Sequence, residues 1–364
     1  MARKTGIVST IGPVLFTDGM MEQAIERGVD VCRFNFSHGK YEEFDALFAR
    51  VLAMREKTGR DIKILQDLQG PKIRLGKIGG GQRLDIKTGD ILTLDYALFE
   101  QGVESGEGEL TLPIQYNLAE KVKVSETIFL FDGHVRTIVR EIVSATAIKI
   151  EAQNDGWIVS NKGLNLPETD FGNDVFPEKD LKDVAWSVDK NMIDWVAISF
   201  IQSAENIRQF RQILAGHGIT GRKIVAKIET RQAVKDDATL EEIVKETDIV
   251  MVARGDMGYE VGFEKVPVVQ RKLIALCRKY GKQVIVATQT MSSMMEEPEP
   301  TRAEVSDVAN ACIQGADYVM TSDETTLGKY PLETVTAIDK VLEYTEENVE
   351  VTPDEELLRS VHLA

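Results

Sequence analysis

The sequence predicts an α/β fold: a closed (β/α)8 TIM barrel with a small all-β domain inserted after its third strand. Three observations carry this reading. Eight short apolar runs rich in β-formers recur along the 364 residues, segments of helical period separate most of them, and the repeat breaks once, between Gly70-Pro71 and about Phe171. Alternating strands and helices imply a parallel sheet. Eight such units close into a barrel, whose site forms where strands end and the following loops begin.

The predicted strands are Thr5 to Ile11, Val29 to Phe36, Asp61 to Asp67, Trp195 to Phe200, Lys223 to Glu229, Ile249 to Arg254, Gln283 to Thr288 and Tyr318 to Ser322. Helical period appears over Gly19 to Arg27, Tyr41 to Lys57, Lys179 to Asp189, Glu205 to Leu214, Val268 to Tyr280 and Arg302 to Gln314. The interruption is far longer than a βα loop and must be a domain of its own. Inside it, short Val, Ile and Leu runs are separated by Gly79-Gly80-Gly81, Thr88-Gly89-Asp90, Ser105-Gly106-Glu107-Gly108 and Asp132-Gly133, the punctuation of a small β-barrel or sandwich. Residues 1–71 and 172–345 are therefore assigned to the catalytic barrel, 72–171 to an inserted β-barrel lid at its mouth, and 346–364 to an acidic tail. In that tail Leu357, Leu358, Val361 and Leu363 suit one terminal helical turn or a frayed end.

A hydrophobic fraction of 43% allows a large core and two domains. The net charge of −16 argues against a broad nucleic-acid or anionic-membrane surface. Any phosphate must then be held by a few placed basic residues, and the partner is small. Cys32, Cys277 and Cys312 are scattered and without metal-ligand spacing, as expected of reduced, buried thiols in a cytoplasmic protein. The apolar stretch after Met1-Ala2-Arg3-Lys4 is too short for a signal peptide, and no run reaches membrane-spanning length.

Polar residues gather at the predicted strand ends. Strand alternation puts Lys227 and Glu229 on one face, and the next run ends in Arg254-Gly255-Asp256. If both open on one mouth, two carboxylates and a lysine share a space suited to Mg²⁺, which takes one or two carboxylates plus waters and substrate phosphate. A K-x-E alone also reads as an ion pair capping two strands. Arg33, Asn35 and Ser37 share one face of the second strand, with Phe34 and Phe36 on the other. Further strand ends carry Asp67-Leu68-Gln69-Gly70-Pro71-Lys72-Ile73-Arg74, Ala287-Thr288-Gln289 and Thr321-Ser322-Asp323-Glu324-Thr325. Five such ends together point to phosphoryl or enolate chemistry at one barrel mouth.

These stretches resemble the pyruvate kinase family. The matching motifs are V-S-T-I-G-P near the start, R-F-N-F-S-H-G at Arg33 to Gly39, D-L-Q-G-P-K-I-R at Asp67 to Arg74, and K-G-L-N-L-P at Lys162 to Pro167. They continue as K-I-E at Lys227 to Glu229, M-V-A-R-G-D at Met251 to Asp256, V-I-V-A-T-Q at Val284 to Gln289, and P-T-R-A-E-V-S-D-V-A-N at Pro300 to Asn310. The resemblance implies phosphoryl transfer from phosphoenolpyruvate to ADP, giving pyruvate and ATP in glycolysis, with Mg²⁺ or Mn²⁺ as cofactor. It also implies roles. Lys227 stabilises the phosphoryl group in flight, and Glu229 and Asp256 bind the metal. Arg33 grips the substrate phosphate, and the backbone N–H groups of Gly255 and Asp256 hold the substrate carboxylate at a helix start. Thr288 lies beside the enolate carbon and relays a proton through water. Asn35, His38, Arg74 and Lys162 contact nucleotide phosphates.

Two departures from the family pattern carry further expectations. Many members need K⁺ and carry a glutamate where this chain has Lys72. The resemblance is therefore to the potassium-independent branch, in which a lysine ammonium tethered near Asn35, Ser37 and Asp67 supplies the monovalent charge. The chain also stops soon after the eighth helix, where typical members continue into a C-terminal domain bearing the sugar-phosphate effector site and a subunit interface. Sugar-phosphate allostery and the usual tetramer are thus not expected, and a homodimer through barrel helices remains. Asp323, where the family usually has glycine, adds negative charge near the mouth. The alternatives are a metal-dependent keto-acid aldolase or lyase on the same barrel, and a non-catalytic pyruvate-kinase-like binding protein.

Overall fold

The computed structural model describes residues 3–17, 19–79, 83–102, 110–169 and 175–352. The turn predicted at Ser105-Gly106-Glu107-Gly108, the glycines Gly80 and Gly81, Phe171 and the helical turn predicted around Leu357 to Leu363 lie outside the described residues. Contacts divide the chain into two units: 1–70, 176–255 and 264–364 in the first, and Pro71–Val175 with Asp256–Phe263 in the second.

The first unit is a closed barrel of eight parallel strands. In chain order they are Gly6–Thr10, Val29–Asn35, Lys63–Asp67, Trp195–Ile198, Lys223–Ile228, Ile249–Ala253, Gln283–Ala287 and Tyr318–Thr321. Each pairs in parallel with its sequence neighbours, and the eighth returns to the first through Gly6 opposite Tyr318. The strands read as nearly unbroken apolar runs because both faces are buried. One face fills the barrel: Val8, Val31, Leu65, Ala197, Val225, Met251 and Ile285 pack into a single interior cluster. The other face, with Ile7, Cys32, Ile64, Val196, Ile224, Val250 and Val319, is equally buried.

The surrounding helices follow the predicted segments closely, as Met20–Glu26, Tyr41–Thr58, Glu178–Trp186, Ala204–Gly216, Val266–Lys279 and Arg302–Gln314. Two more long helices had no bounds in the sequence reading, which counted an eighth helix near the chain's end without placing it. Asp237–Glu246 starts at Asp236, whose side chain accepts the Thr239 N–H at 2.7 Å, and buries Leu240, Ile243 and Val244. Pro331–Asn348 buries Leu332, Val335, Ile338 and Leu342. Glu346, assigned by sequence to an acidic tail, lies on this last helix and accepts the backbone N–H groups of Lys4 at 2.6 Å and Thr5 at 2.7 Å.

The second unit is built on β-structure, as the sequence predicts. A six-stranded sheet runs in the order Leu164–Asn165, Thr127–Leu130, Val135–Ile142, Ala147–Ala152, Ile91–Asp95, Leu110–Pro113, and a two-stranded ribbon pairs Leu84–Ile86 with Gly156–Ile158. Ile91–Asp95 and Leu110–Pro113 are parallel; the other pairings are antiparallel. Among the described residues, Leu75, Ile86, Leu94, Leu112, Leu130 and Ile150 belong to one apolar core cluster of this unit. Among the described residues no helix is long and apolar enough to cross a membrane.

Candidate active site

In the barrel unit the candidate residues are organised around a buried carboxylate. Asp67 ends the third strand and is 1% exposed. Its Oδ2 accepts a 2.7 Å bond from Arg33 Nε, and its Oδ1 lies 3.5 Å from Lys227 Nζ. Arg33, at the end of the second strand, also donates to Thr10 Oγ1 at 2.7 Å. Opposite charges this deeply buried hold each other in place, because removing one partner leaves the other uncompensated.

Lys227 stands on the fifth strand with Glu229 two residues beyond. Strand alternation does put their groups on one side, with Nζ 3.8 Å from Glu229 Oε1. Lys227 Nζ donates to Ser199 Oγ at 2.8 Å, and that hydroxyl donates on to the Leu68 carbonyl at 2.8 Å. Glu229 is 1% exposed and accepts the Phe200 N–H at 2.8 Å. The K-x-E pair is therefore one edge of a larger cluster.

Thr288 follows the seventh strand. It and Gln289 both adopt left-handed backbone, with φ of 67° and 53°. The Thr288 hydroxyl oxygen is buried without a hydrogen-bond partner, and it faces Gly255, 3.6 Å from where a Cβ on that glycine would lie. Asn35 uses its side-chain oxygen to accept the Ser37 N–H at 3.1 Å, forming the turn that exposes His38.

The second unit gathers the remaining candidates. Asp256 Oδ1 accepts Lys72 Nζ at 2.8 Å and Asn165 Nδ2 at 3.0 Å, and Lys72 also reaches Asp132 at 3.1 Å. The sequence reading set Lys72 beside Asn35, Ser37 and Asp67; its ion pairs are with Asp256 and Asp132, inside this unit. Arg74 and Lys162 lie on adjoining backbone, with Leu75 N–H bonded to the Lys162 carbonyl at 2.9 Å. Arg74 donates to the Asn161 carbonyl at 3.2 Å, and Lys162 sits 4.5 Å over the Phe131 ring. Burial lowers the Arg74 pKa, against the opposing pull of Asp132 and Asp256.

Arg254 was missed by sequence reasoning as a site residue. It is 8% exposed, bonds the carbonyls of Ala287, Thr288 and Gln289, and pairs with Asp307. Asp67 enters the sequence reading as the polar end of the third strand and a neighbour of Lys72, without a role of its own at the site. Its position at a strand end inside a run of polar residues was the available signal. Among the described residues no three His, Cys, Asp or Glu side chains form a ready metal cage. Mg²⁺ does not require one, since waters and substrate oxygens complete its shell.

A closed β/α barrel with an inserted β domain carries lysine, arginine and carboxylates together at its strand ends, the place where (β/α)8 barrels carry their active sites. The family model for the barrel domain of pyruvate kinase matches residues 2–335. The chain is 37% identical over 349 residues to pyruvate kinase 2 of Synechocystis, covering 95% of this chain and 57% of that one. It is 37% identical to the pyruvate kinase of Mycobacterium intracellulare, covering 97% and 72%, and 38% identical to that of Hypocrea jecorina, covering 92% and 61%. The chain thus spans between 57% and 72% of the length of these relatives. It belongs to the pyruvate kinase family.

Proposed function

We propose that this chain is a cytoplasmic pyruvate kinase, transferring the phosphoryl group of phosphoenolpyruvate to ADP. The observation that carries the reading is the convergence of Arg33 and Lys227 on the buried Asp67, with Glu229 beside them, in a chain that matches its family over nearly its whole length. A terminal oxygen of ADP attacks phosphorus, the bond to the enol oxygen breaks, and its electron pair leaves an enolate. That enolate takes a proton at carbon and becomes pyruvate.

Each side chain has a task in this sequence. Arg33, oriented by Asp67, binds phosphate oxygens with the remaining edge of its planar fork. Lys227, tethered by Ser199, spreads positive charge over the transferring group. The backbone N–H groups of Gly255 and Asp256 begin the helical turn Arg254–Met257 and receive the substrate carboxylate. Thr288 delivers a proton drawn from water to the enolate carbon, its hydroxyl being too weak an acid to act alone. Asn35, His38, Arg74 and Lys162 hold the nucleotide phosphates.

Glu229 and Asp256 offer oxygen donors of the kind hard cations take, which suits Mg²⁺ or Mn²⁺. Bound there, such an ion would supply Lewis-acid charge to phosphate and enolate oxygens. Lys72, paired to Asp256, takes the place of K⁺, and no sugar-phosphate activator is needed. The test is pyruvate formation from phosphoenolpyruvate and ADP with Mg²⁺ and no K⁺. Asp256→Ala is expected to abolish most of it; full activity in that variant would remove the metal assignment, and no turnover by the unchanged chain would remove the whole reading.

A further inference from the structure

Three consecutive backbone carbonyls at the end of the seventh strand converge on one guanidinium. Arg254 Nε lies 3.1 Å from the Ala287 oxygen and 3.2 Å from that of Thr288, while its second terminal nitrogen lies 2.6 Å from Thr288 O and 3.4 Å from Gln289 O. The remaining terminal nitrogen is held by both Asp307 oxygens, at 2.8 and 2.7 Å, and by Gln270 Oε1 at 3.3 Å. Asp307 comes from the helix Arg302–Gln314 and Gln270 from Val266–Lys279, so the guanidinium is braced from two helices. Gln270 is itself bonded to Gln314 at 3.2 Å.

The backbone that this group grips is unfavourable on its own. Two successive non-glycine residues occupy the left-handed region, a conformation that persists only where the surroundings over-determine it. That turn sets the direction of the Thr288 hydroxyl, the buried group without a hydrogen-bond partner. A simple strand cap would need only the Ala287 carbonyl. The bonds to Thr288 and Gln289 instead fix the conformation from which the hydroxyl projects.

We infer that Arg254, braced by Asp307, is a positioning residue for proton transfer: it holds the left-handed turn that aims the Thr288 hydroxyl at the reacting carbon. The inference rests on the function proposed above. The guanidinium touches neither substrate nor reacting atoms; it acts through Thr288. A lysine cannot take its place, because one ammonium at the end of a flexible stem lacks the planar fork that spans three carbonyls and a carboxylate.

The test follows exchange of the pyruvate methyl hydrogens with D₂O by proton NMR, in the presence of Mg²⁺ and ATP. This is the proton step run in reverse, and it does not depend on net product formation. Arg254→Lys, Asp307→Asn and Thr288→Ala are each compared with the unchanged chain. Thr288→Ala and Arg254→Lys are each expected to slow exchange at least about tenfold. The double variant is expected to be no slower than the slower single one, since groups that act as a unit are not additive. Losses that multiply, or unchanged exchange in Arg254→Lys, would overturn the inference while leaving the proposed reaction standing. If Arg254→Lys does not fold, Asp307→Asn combined with Thr288→Ala decides by the same criterion. An unchanged chain that neither forms pyruvate nor exchanges overturns the underlying reading and this inference with it.

Discussion

Lys72 and Asp256 are joined by a 2.8 Å ion pair in which the same ammonium also reaches Asp132 at 3.1 Å. Burial works against the charge on Lys72, yet the two carboxylates outweigh it and hold its pKa above the ordinary lysine value. The group is a fixed monovalent cation beside a carboxylate proposed to bind the divalent ion.

Lys72→Glu would set a third negative charge against Asp256 and Asp132. Phosphoenolpyruvate turnover without K⁺ is expected to fall at least about tenfold, by analogy with breaking a close charge pair. Added K⁺ is expected to restore part of it, as the ion replaces the lost ammonium. The measurement is a K⁺ titration of both proteins in buffer free of other monovalent metal ions. A variant as active without K⁺ as the unchanged chain would show that Lys72 does not fill that role.

Much of this architecture was legible because barrel strands buried on both faces leave unbroken apolar runs that polar residues terminate. The helix Asp237–Glu246 escaped notice because its apolar stripe is only Leu240, Ile243 and Val244 among charged neighbours, although Asp236 and Thr239 carry a capping signal. Lys227 and Glu229 could be placed together by strand period alone. Arg254 could not: its importance comes from the left-handed backbone of Thr288 and Gln289, and neither residue type announces that conformation as a glycine would. Asp256 reads from sequence as a barrel strand end, yet its bonds to Lys72 and Asn165 group it with the inserted unit, because tertiary pairing is set by residues far along the chain.

Asp180 is expected to make the stability of the fold fall as pH rises from the acid range to neutrality. It is 2% exposed on the helix Glu178–Trp186 and accepts the backbone N–H groups of Gln69 at 3.1 Å and Gly70 at 2.9 Å. Burial pushes its carboxyl up from 3.8 to about 7, with Asp183 adding to the rise while the two N–H donors and Lys179 oppose it. A carboxyl raised in the folded state stabilises the fold fully below its unfolded value and loses that contribution as pH climbs through the folded one. The window therefore runs from 3.8 to about 7. Urea unfolding at pH 4.5 and 7.5 is expected to show the unchanged chain losing a few kcal/mol relative to Asp180→Asn, since each tenfold change in proton affinity is worth about 1.4 kcal/mol. Parallel stability profiles for the two proteins would mean that Asp180 ionises without cost.

Gly70 controls the tether of Lys227. Its φ is +70°, and a Cβ there would lie 2.6 Å from Ser199 Cβ and 3.2 Å from the Ser199 carbonyl. Ser199 is the residue whose hydroxyl links Lys227 to the Leu68 carbonyl, so a methyl group at position 70 must displace the lysine's anchor. Gly59 is the natural control, since it also has a positive φ, +65°, but a Cβ there would meet nothing within 4 Å. Gly59→Ala is expected to cost about 1 kcal/mol for the left-handed backbone alone. Gly70→Ala is expected to cost about 2–4 kcal/mol, adding an overpacking penalty to that strain, and to lower kcat as Lys227 shifts. Urea unfolding and steady-state kinetics on both variants separate the two effects. Equal losses of stability with unchanged kcat would show that the close approach of Gly70 to Ser199 does not govern the position of Lys227.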